Sequence, residues 1–259
     1  GVAEAAYREA KLYASPREQY GKTIDNFPQV QDLLRDMRTR IDAARSLLYE
    51  TSRKVDMTKS YEAIMKVRSL EAEERKDMKA VARVADALTP MVKLMAAEWA
   101  NQIAYDSIQV HGGSGFMREY ACERLYRDAR ILTIYEGTSQ LQVVAAVKGI
   151  SNGTYLNCIA EYDAQVEAAL AAGVENADDI KAIRAQLQKM VEDYKQLEVA
   201  AKAMEICPDR RLTESLAYIV MGYLLLLDST RCGCFLDSCK NLTLMGRGEI
   251  AKHMACVMQ

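Results

Sequence analysis

Ile134-Tyr135-Glu136-Gly137-Thr138-Ser139-Gln140-Leu141-Gln142 sets how the rest of the chain is read. A carboxylate stands between an apolar pair and a glycine. Ser139 and Gln142 have the S-x-x-Q spacing of a capping box, so a helix is predicted to open at Ser139. Gly137 supplies the permissive backbone that a turn into that helix needs. Glu136 then stands before a helix N-terminus, with Ile134 and Tyr135 expected to limit its hydration. Two readings follow. Glu136 is either a general base whose pKa burial raises toward working pH, or an acid that complements the helix dipole.

Upstream lies a polar stretch, Met117 to Arg130, preceded by His111-Gly112-Gly113-Ser114-Gly115, where glycines can take the left-handed cap conformation. A helix carrying Met91, Leu94, Met95, Trp99 and Ile103 toward a core is expected to end there. Thr89-Pro90 is expected to start it, with Thr89 as N-cap and Pro90 in the first helical position. Tyr61 to Leu88 reads as a separate helix with a solvated charge run at Glu71 to Asp77 and apolar positions at Ile64, Val67, Val81, Val84 and Leu88. Pro28 opens a long helix whose Val30, Leu33, Leu34, Met37, Ile41, Ala44 and Leu48 repeat at helical spacing. Gly1 to Ala14 reads as the inside of an amphipathic helix presenting Val2, Ala5, Ala6, Glu9 and Leu12. It stops at Ser15-Pro16, and a loop follows. A helix without a start signal is what a piece of a longer chain would show.

Downstream, the helix after the motif is expected to reach about Lys148, and Gly149 to Gly153 reads as a linker. A second helical region follows. Tyr155 to Ala171 is one helix, and Asn176 caps a long one with Ile180, Ile183, Leu187, Met190, Tyr194 and Leu197. Pro208 breaks the chain before one or two more helices. The expected fold class is all-α: a four-helix up-down bundle over residues 1–150, then a smaller helical bundle over 151–259.

Composition narrows the classes. Of 259 residues half are hydrophobic, and the formal net charge is -2 without a basic block, which argues against nucleic acid as a partner. Only 4 prolines and 13 glycines are present, which favours long helices over a turn-rich sheet protein. Seven cysteines, an odd number without a framework, fit reduced intracellular thiols. Cys232, Cys234, Cys239, His253 and Cys256 do not have a strong zinc spacing, so no metal site is assigned. The apolar run Leu216 to Leu227 falls short of the about 20 residues of a membrane span; it reads as a core helix, with a surface membrane contact as the alternative. Gly112, Gly113 and Gly115 lack the Lys-Ser/Thr of a phosphate loop but leave backbone open to a ligand. Arg17 reads equally as a solvated cation or a ligand contact.

Three segments together resemble the C-terminal part of an acyl-CoA dehydrogenase: Arg17-Glu-Gln-Tyr-Gly-Lys22 with Phe27; Gln109-Val-His-Gly-Gly-Ser-Gly-Phe116; and Tyr126-Arg-Asp-Ala-Arg130 running into Ile134 to Gln142. The resemblance covers residues 1 to about 148, and the region after Asn152 is similar to the further helical domain of the longer members. It implies FAD as cofactor and an acyl-CoA thioester as substrate, oxidised to the trans-2-enoyl-CoA. Glu136 matches the base that removes the α-proton while the β-hydrogen leaves as hydride. Tyr135 and Gly137 match residues lining the acyl site, and Thr138 and Gln140 match contacts to the FAD of the same active site. Arg17, Gln19, Tyr20, Phe27, Gln109, Gly112 and Gly113 match positions reaching the adenine-dinucleotide part of a neighbouring subunit's FAD. The resemblance further implies electron-transfer flavoprotein as acceptor, a homodimer or homotetramer sharing FAD at its interface, and a cytoplasmic or mitochondrial-matrix location. Tyr20 stands where phenylalanine is usual. Pro28 stands where glutamine is common, which puts one cofactor hydrogen bond in question. An acyl-CoA oxidase and a non-catalytic helical module completing a partner's cofactor site are the competing readings. The isolated chain, without the β-domain that holds the flavin ring, is expected to be inactive and to bind FAD weakly.

Overall fold

The computed structural model describes residues 1–203 and 208–257, and the all-α expectation holds there. Nine α-helices occur among the described residues: α1 (Val2–Ala14), α2 (Pro28–Met65), α3 (Ala72–His111), α4 (Ala121–Ala129), α5 (Ser139–Ser151), α6 (Thr154–Ala172), α7 (Ala177–Ala201), α8 (Asp209–Arg231) and α9 (Leu236–Val257). Between α1 and α2, a two-residue hairpin replaces the loop read there. Its strands, β1 (Glu18–Gln19) and β2 (Lys22–Thr23), pair antiparallel around Tyr20 and Gly21, both at positive φ, as a tight two-residue hairpin turn requires.

Two helix boundaries differ from the sequence reading. Tyr61 to Leu88 is not one helix: α2 ends at Met65, and α3 starts at Ala72 behind Glu71, which forms a reciprocal capping box with Glu74. That pair is a start signal lying inside a run of good helix formers, so periodicity alone passes over it. Val67, in the break, is 88% exposed. Conversely, Thr89-Pro90 starts nothing, because α3 runs through Pro90 for 40 residues. Thr89 Oγ1 donates to Ala85 O at 2.8 Å within the helix. A proline inside a helix removes one backbone bond and crowds the preceding turn. Here the Tyr155 hydroxyl, from α6, donates to Ala87 O at 2.6 Å in that turn.

In α1, close packing falls on Ala6, Ala10 and Ala14, whereas Leu12 is exposed, so the buried stripe is of small residues. These let α1 lie close against α3, and Ser107 Oγ donates to Ala6 O at 2.8 Å. Met91, Leu94, Met95, Trp99 and Ile103 on α3 are buried as expected, as are the six apolar positions of α7.

The expected linker at Gly149 to Gly153 is only a two-residue corner. α5 continues to Ser151, and Asn152 Oδ1 accepts the Thr154 N–H at 3.0 Å. Gly149 lies within α5, and the Tyr155 ring packs where a side chain would stand: a Cβ there would come within 2.6 Å of the ring. One hydrophobic core runs through both regions. α8 is its central rod, packed on α6, α7 and α9 and, across the corner, on α2 and α5. Trp99 meets Tyr218 edge-on at 5.6 Å. Polar contacts fasten α9 to α2: Ser238 donates to Asp42 at 2.8 Å, and Asn241 donates to Asp36 and Thr39. Among the described residues, Asp209–Arg231 has the length and composition to cross a membrane, so the apolar run is not too short, as its bare extent suggested. With 89% of its apolar window buried in the fold, it is a core helix.

On α9, His253 is buried and shares a 3.0 Å hydrogen bond with Ser215, with Glu214 and Glu249 each 3.7 Å away. Burial pushes its imidazole below the ordinary 6.5, the two glutamates opposing this.

Two measurements test this packing. Tyr155→Phe leaves Ala87 O without its extra donor and should cost about 1–2 kcal/mol, and Gly149→Val should cost about 1–3 kcal/mol through overlap with the ring. Urea midpoints for both variants that match the parent would show the contact to be loose. Because the unfolded chain protonates His253 more readily than the fold does, stability should fall as pH drops through about 6.5 and level off below the folded-state pKa. His253→Gln should flatten that decline in thermal midpoints taken between about pH 7.5 and 5.5.

Candidate functional site

The Glu136 turn is built from the middle of α3 and the start of α5. Glu136 has φ 49° and Gly137 φ 95°, so two successive residues lie in the left-handed region, where a glutamate is uncommon. Gly137 meets a need glycine alone fills easily, since a Cβ there would also approach Gln142 Nε2 within 2.7 Å. The N-cap of α5 is Thr138, whose Oγ1 accepts the Leu141 N–H at 3.4 Å. This corrects the Ser139–Gln142 capping box. Ser139 is already helical, and its buried hydroxyl has no partner among the described residues. The Gln142 amide turns back to donate to Gly137 O at 3.3 Å and Glu136 O at 3.5 Å.

Lys93, which the sequence reading missed, completes the turn. From α3 its Nζ donates to Leu132 O at 2.9 Å and Gly137 O at 2.7 Å, and it lies 5.5 Å from the Tyr135 ring centroid. The available signal was a single cation in the stretch between Asp86 and Glu98, which is otherwise uncharged and mostly apolar.

Glu136 is exposed, contrary to the expected shielding. Ile134 and Tyr135 are themselves 44% and 47% exposed, because both lie on an outer face rather than over the carboxylate. Ile131, Leu141 and Val144 are exposed too. The carboxylate therefore stands in a stretch of apolar side chains that are exposed among the described residues. Gln140 is exposed, and Gly137 and Thr138 are half-buried.

The second set of residues gathers at the other end of α3. Gln109, Gly112 and Gly113 are exposed there, with Gly112 at φ 59°. A Cβ at either glycine would meet no atom within 4 Å, so their backbone is open. Gly115 differs: a Cβ there would come 2.8 Å from Ile108 O. Tyr13 of α1 stacks on His111 at 4.3 Å and donates to Ser114 Oγ at 3.3 Å, with Tyr120 edge-on to both rings. This aromatic trio brings the chain after α1 to the glycine turn. Arg17 lines the same cleft of about 460 Å³ as His111, Ser114 and Tyr120. Beyond it Tyr20 is 96% exposed and meets Phe27 edge-on at 6.4 Å, and Lys22 Nζ sits 4.3 Å over the Phe27 ring. Gln19 is exposed on β1. His111 Nδ1 pairs with Ser107 O at 2.7 Å, the bond of a core histidine.

The twelve residues singled out thus form two sets joined by α3. Lys93 and Gln109 are sixteen positions apart, about 24 Å at 1.5 Å per residue.

Among the described residues no three His, Cys, Asp or Glu side chains are arranged to hold a metal ion. Cys232 and Cys234 are exposed between α8 and α9, Cys239 is buried, and Cys256 is exposed.

Comparison with known proteins fits this layout. The family described as "Acyl-CoA dehydrogenase, C-terminal domain" matches residues 1–151, and that described as "Acyl-CoA dehydrogenase C terminal" matches residues 151–259. The caffeyl-CoA reductase-Etf complex subunit CarC of Acetobacterium woodii is 37% identical over 142 residues, which is 55% of this chain and 31% of that protein. The chain thus spans about a third of the length of the curated relatives it matches. Caenorhabditis elegans ACDH-11, solved in complex with C11-CoA, superposes with a TM-score of 0.73 over 93% of this chain and 40% of that one, at 19% identity. An acyl-CoA dehydrogenase from Bacillus anthracis complexed with FAD gives 0.69 over 99% and 46%, at 22% identity. The fold therefore extends through the region after Ser151 in both. With both halves matched and the Glu136 turn in place before α5, the chain belongs to the acyl-CoA dehydrogenase family.

Proposed function

We propose that this chain is the C-terminal part of an FAD-dependent acyl-CoA dehydrogenase in which Glu136 is the base. The observation that carries this reading is the presentation of Glu136: a left-handed turn, fixed at both ends, holds one carboxylate at the start of α5 beside exposed apolar side chains. A thioester α-proton is weakly acidic, so its removal needs a carboxylate at the α-carbon and donors on the carbonyl oxygen. Among the described residues the Glu136 N–H makes no hydrogen bond, so it is available as one donor. In the intact subunit the wall of Ile131, Ile134, Tyr135, Leu141 and Val144 is covered by the rest of the protein, which dries the carboxylate and raises its basicity.

The residues present fit FAD. Arg17 offers a guanidinium fork to a pyrophosphate in a cleft it shares with His111 and Ser114 of the glycine turn, whose Gly112 and Gly113 backbone is open, and Gln19, Tyr20, Phe27 and Gln109 are the further contacts proposed. Thr138 and Gln140 face the cofactor beside Glu136, with Tyr135 and Gly137 toward the acyl group. Bound FAD supplies the acceptor for the β-hydrogen as hydride. The roughly 24 Å along α3 between the two sets exceeds what one end of a single cofactor serves, which favours a homo-oligomer whose subunits each complete a neighbour's site. Electron-transfer flavoprotein is the proposed electron partner, in keeping with the Etf complex named for the Acetobacterium relative. The same carboxyl can return the proton in the reverse direction, reduction of an enoyl thioester, the direction named for that reductase subunit.

In the intact enzyme, Glu136→Gln should lower turnover on the order of a thousandfold or more in either direction while flavin stays bound. Wild-type rates in that variant would end the assignment. Arg17→Ala should weaken FAD retention about ten- to hundredfold, the worth of a hydrogen bond to a charged group, read by flavin release on dilution. The 259-residue chain alone should purify without a flavin absorbance band.

A further inference from the structure

All of Lys93's polar contacts go to one segment. Its ammonium bonds the carbonyls of Leu132 and Gly137, one on each side of Glu136, and its remaining direction lies toward the ring of Tyr135. An ammonium has three donors and no acceptor, so two carbonyls and a ring face match its valence. The segment it spans includes a glutamate at φ 49°, a conformation that costs free energy unless the surroundings enforce it. Gln142 supports the same turn from one side only, through Gly137 O and Glu136 O. Nothing else among the described contacts ties the Leu132 end to the Gly137 end.

Resting on the reading of Glu136 as base, we infer that Lys93 is its positioning residue: by clamping Leu132 O and Gly137 O to the middle of α3, it fixes where the carboxylate meets the α-carbon. Lys93 does not touch the reacting atoms. Its effect runs through the backbone, and it applies to the proton-transfer step, where displacement of about 1 Å can cost about a hundredfold. The fold does not depend on the clamp. Leu132 and Gly137 are half-buried on a turn outside the hydrophobic core, and Gly137 O keeps its bond from Gln142 when the ammonium is removed.

The test is made on the intact flavin-loaded enzyme, with butyryl-CoA or the first member of an acyl-CoA chain-length series that the wild type turns over. Lys93→Ala should keep flavin content, thermal midpoint and KM near wild type while kcat falls about ten- to hundredfold. With substrate deuterated at the α-carbon, the isotope effect should rise, because proton removal becomes more limiting. Added methylammonium should restore part of the rate to Lys93→Ala, and Lys93→Arg, which keeps a donor pair, should retain more activity than Lys93→Ala. A wild-type kcat and isotope effect in Lys93→Ala would overturn the inference. So would a loss accounted for by released flavin or a lowered thermal midpoint. Glu136→Gln run in parallel separates the failures: if it is inactive while Lys93→Ala is normal, only the clamp is wrong, and if it turns over normally, the base and the clamp fall together.

Discussion

The persistence of α3 through Pro90 is the constraint on which the rest of the structure depends. A helix broken at Thr89 would leave Lys93 and Gln109 on a separate rod from Ala85 and Leu88, free to tilt against the first bundle. Instead one 40-residue helix carries the Glu136 turn at its middle and the glycine turn at its end. Tyr155 packs on the turn before Pro90: its hydroxyl donates to Ala87 O and its ring lies on Gly149. That support comes from the other side of the corner at Asn152.

This explains why the second region is part of the fold rather than an appendage. α8 buries most of its residues, packing on α6, α7 and α9 of its own region and also on α2, α3 and α5 of the first. The seam with α2 is polar as well as apolar, with buried Asp42 held by Arg38 at 2.9 Å and Ser238 at 2.8 Å. A carboxylate so buried is tolerated because it is paired and hydrogen-bonded, with Arg45 a further 3.7 Å from its other oxygen. The seam thus fixes register between α2 and α9, while the area of α8 supplies the burial.

The site shows the opposite economy. Glu136 and Gln140 are exposed, their turn is in a disfavoured conformation, and the apolar side chains around Glu136 are open. A rigid helix presents both sets of residues, and the chain itself closes neither. That division suits a protein in which cofactor and substrate lie between bodies, with each body supplying one wall.

The sequence by itself determined the helical class, the buried faces of α3 and α7, and the residue types on the Glu136 and Gly112–Gly113 turns. Helical periodicity is written in side chains three and four apart, and Glu136-Gly137, Gly112-Gly113 and Arg17 carry their chemistry in their residue types. Tertiary structure alone decided the rest. Pro90 lies inside a helix whose preceding turn is held, through Ala87 O, by Tyr155, 65 positions away. Lys93 serves the Glu136 turn only because packing lays α3 beneath it, 43 positions upstream. The exposure of Glu136 depends on which way Ile134 and Tyr135 turn, not on their being apolar. Local patterns record what a residue favours, whereas a contact between distant residues exists only once the core has set the helices side by side.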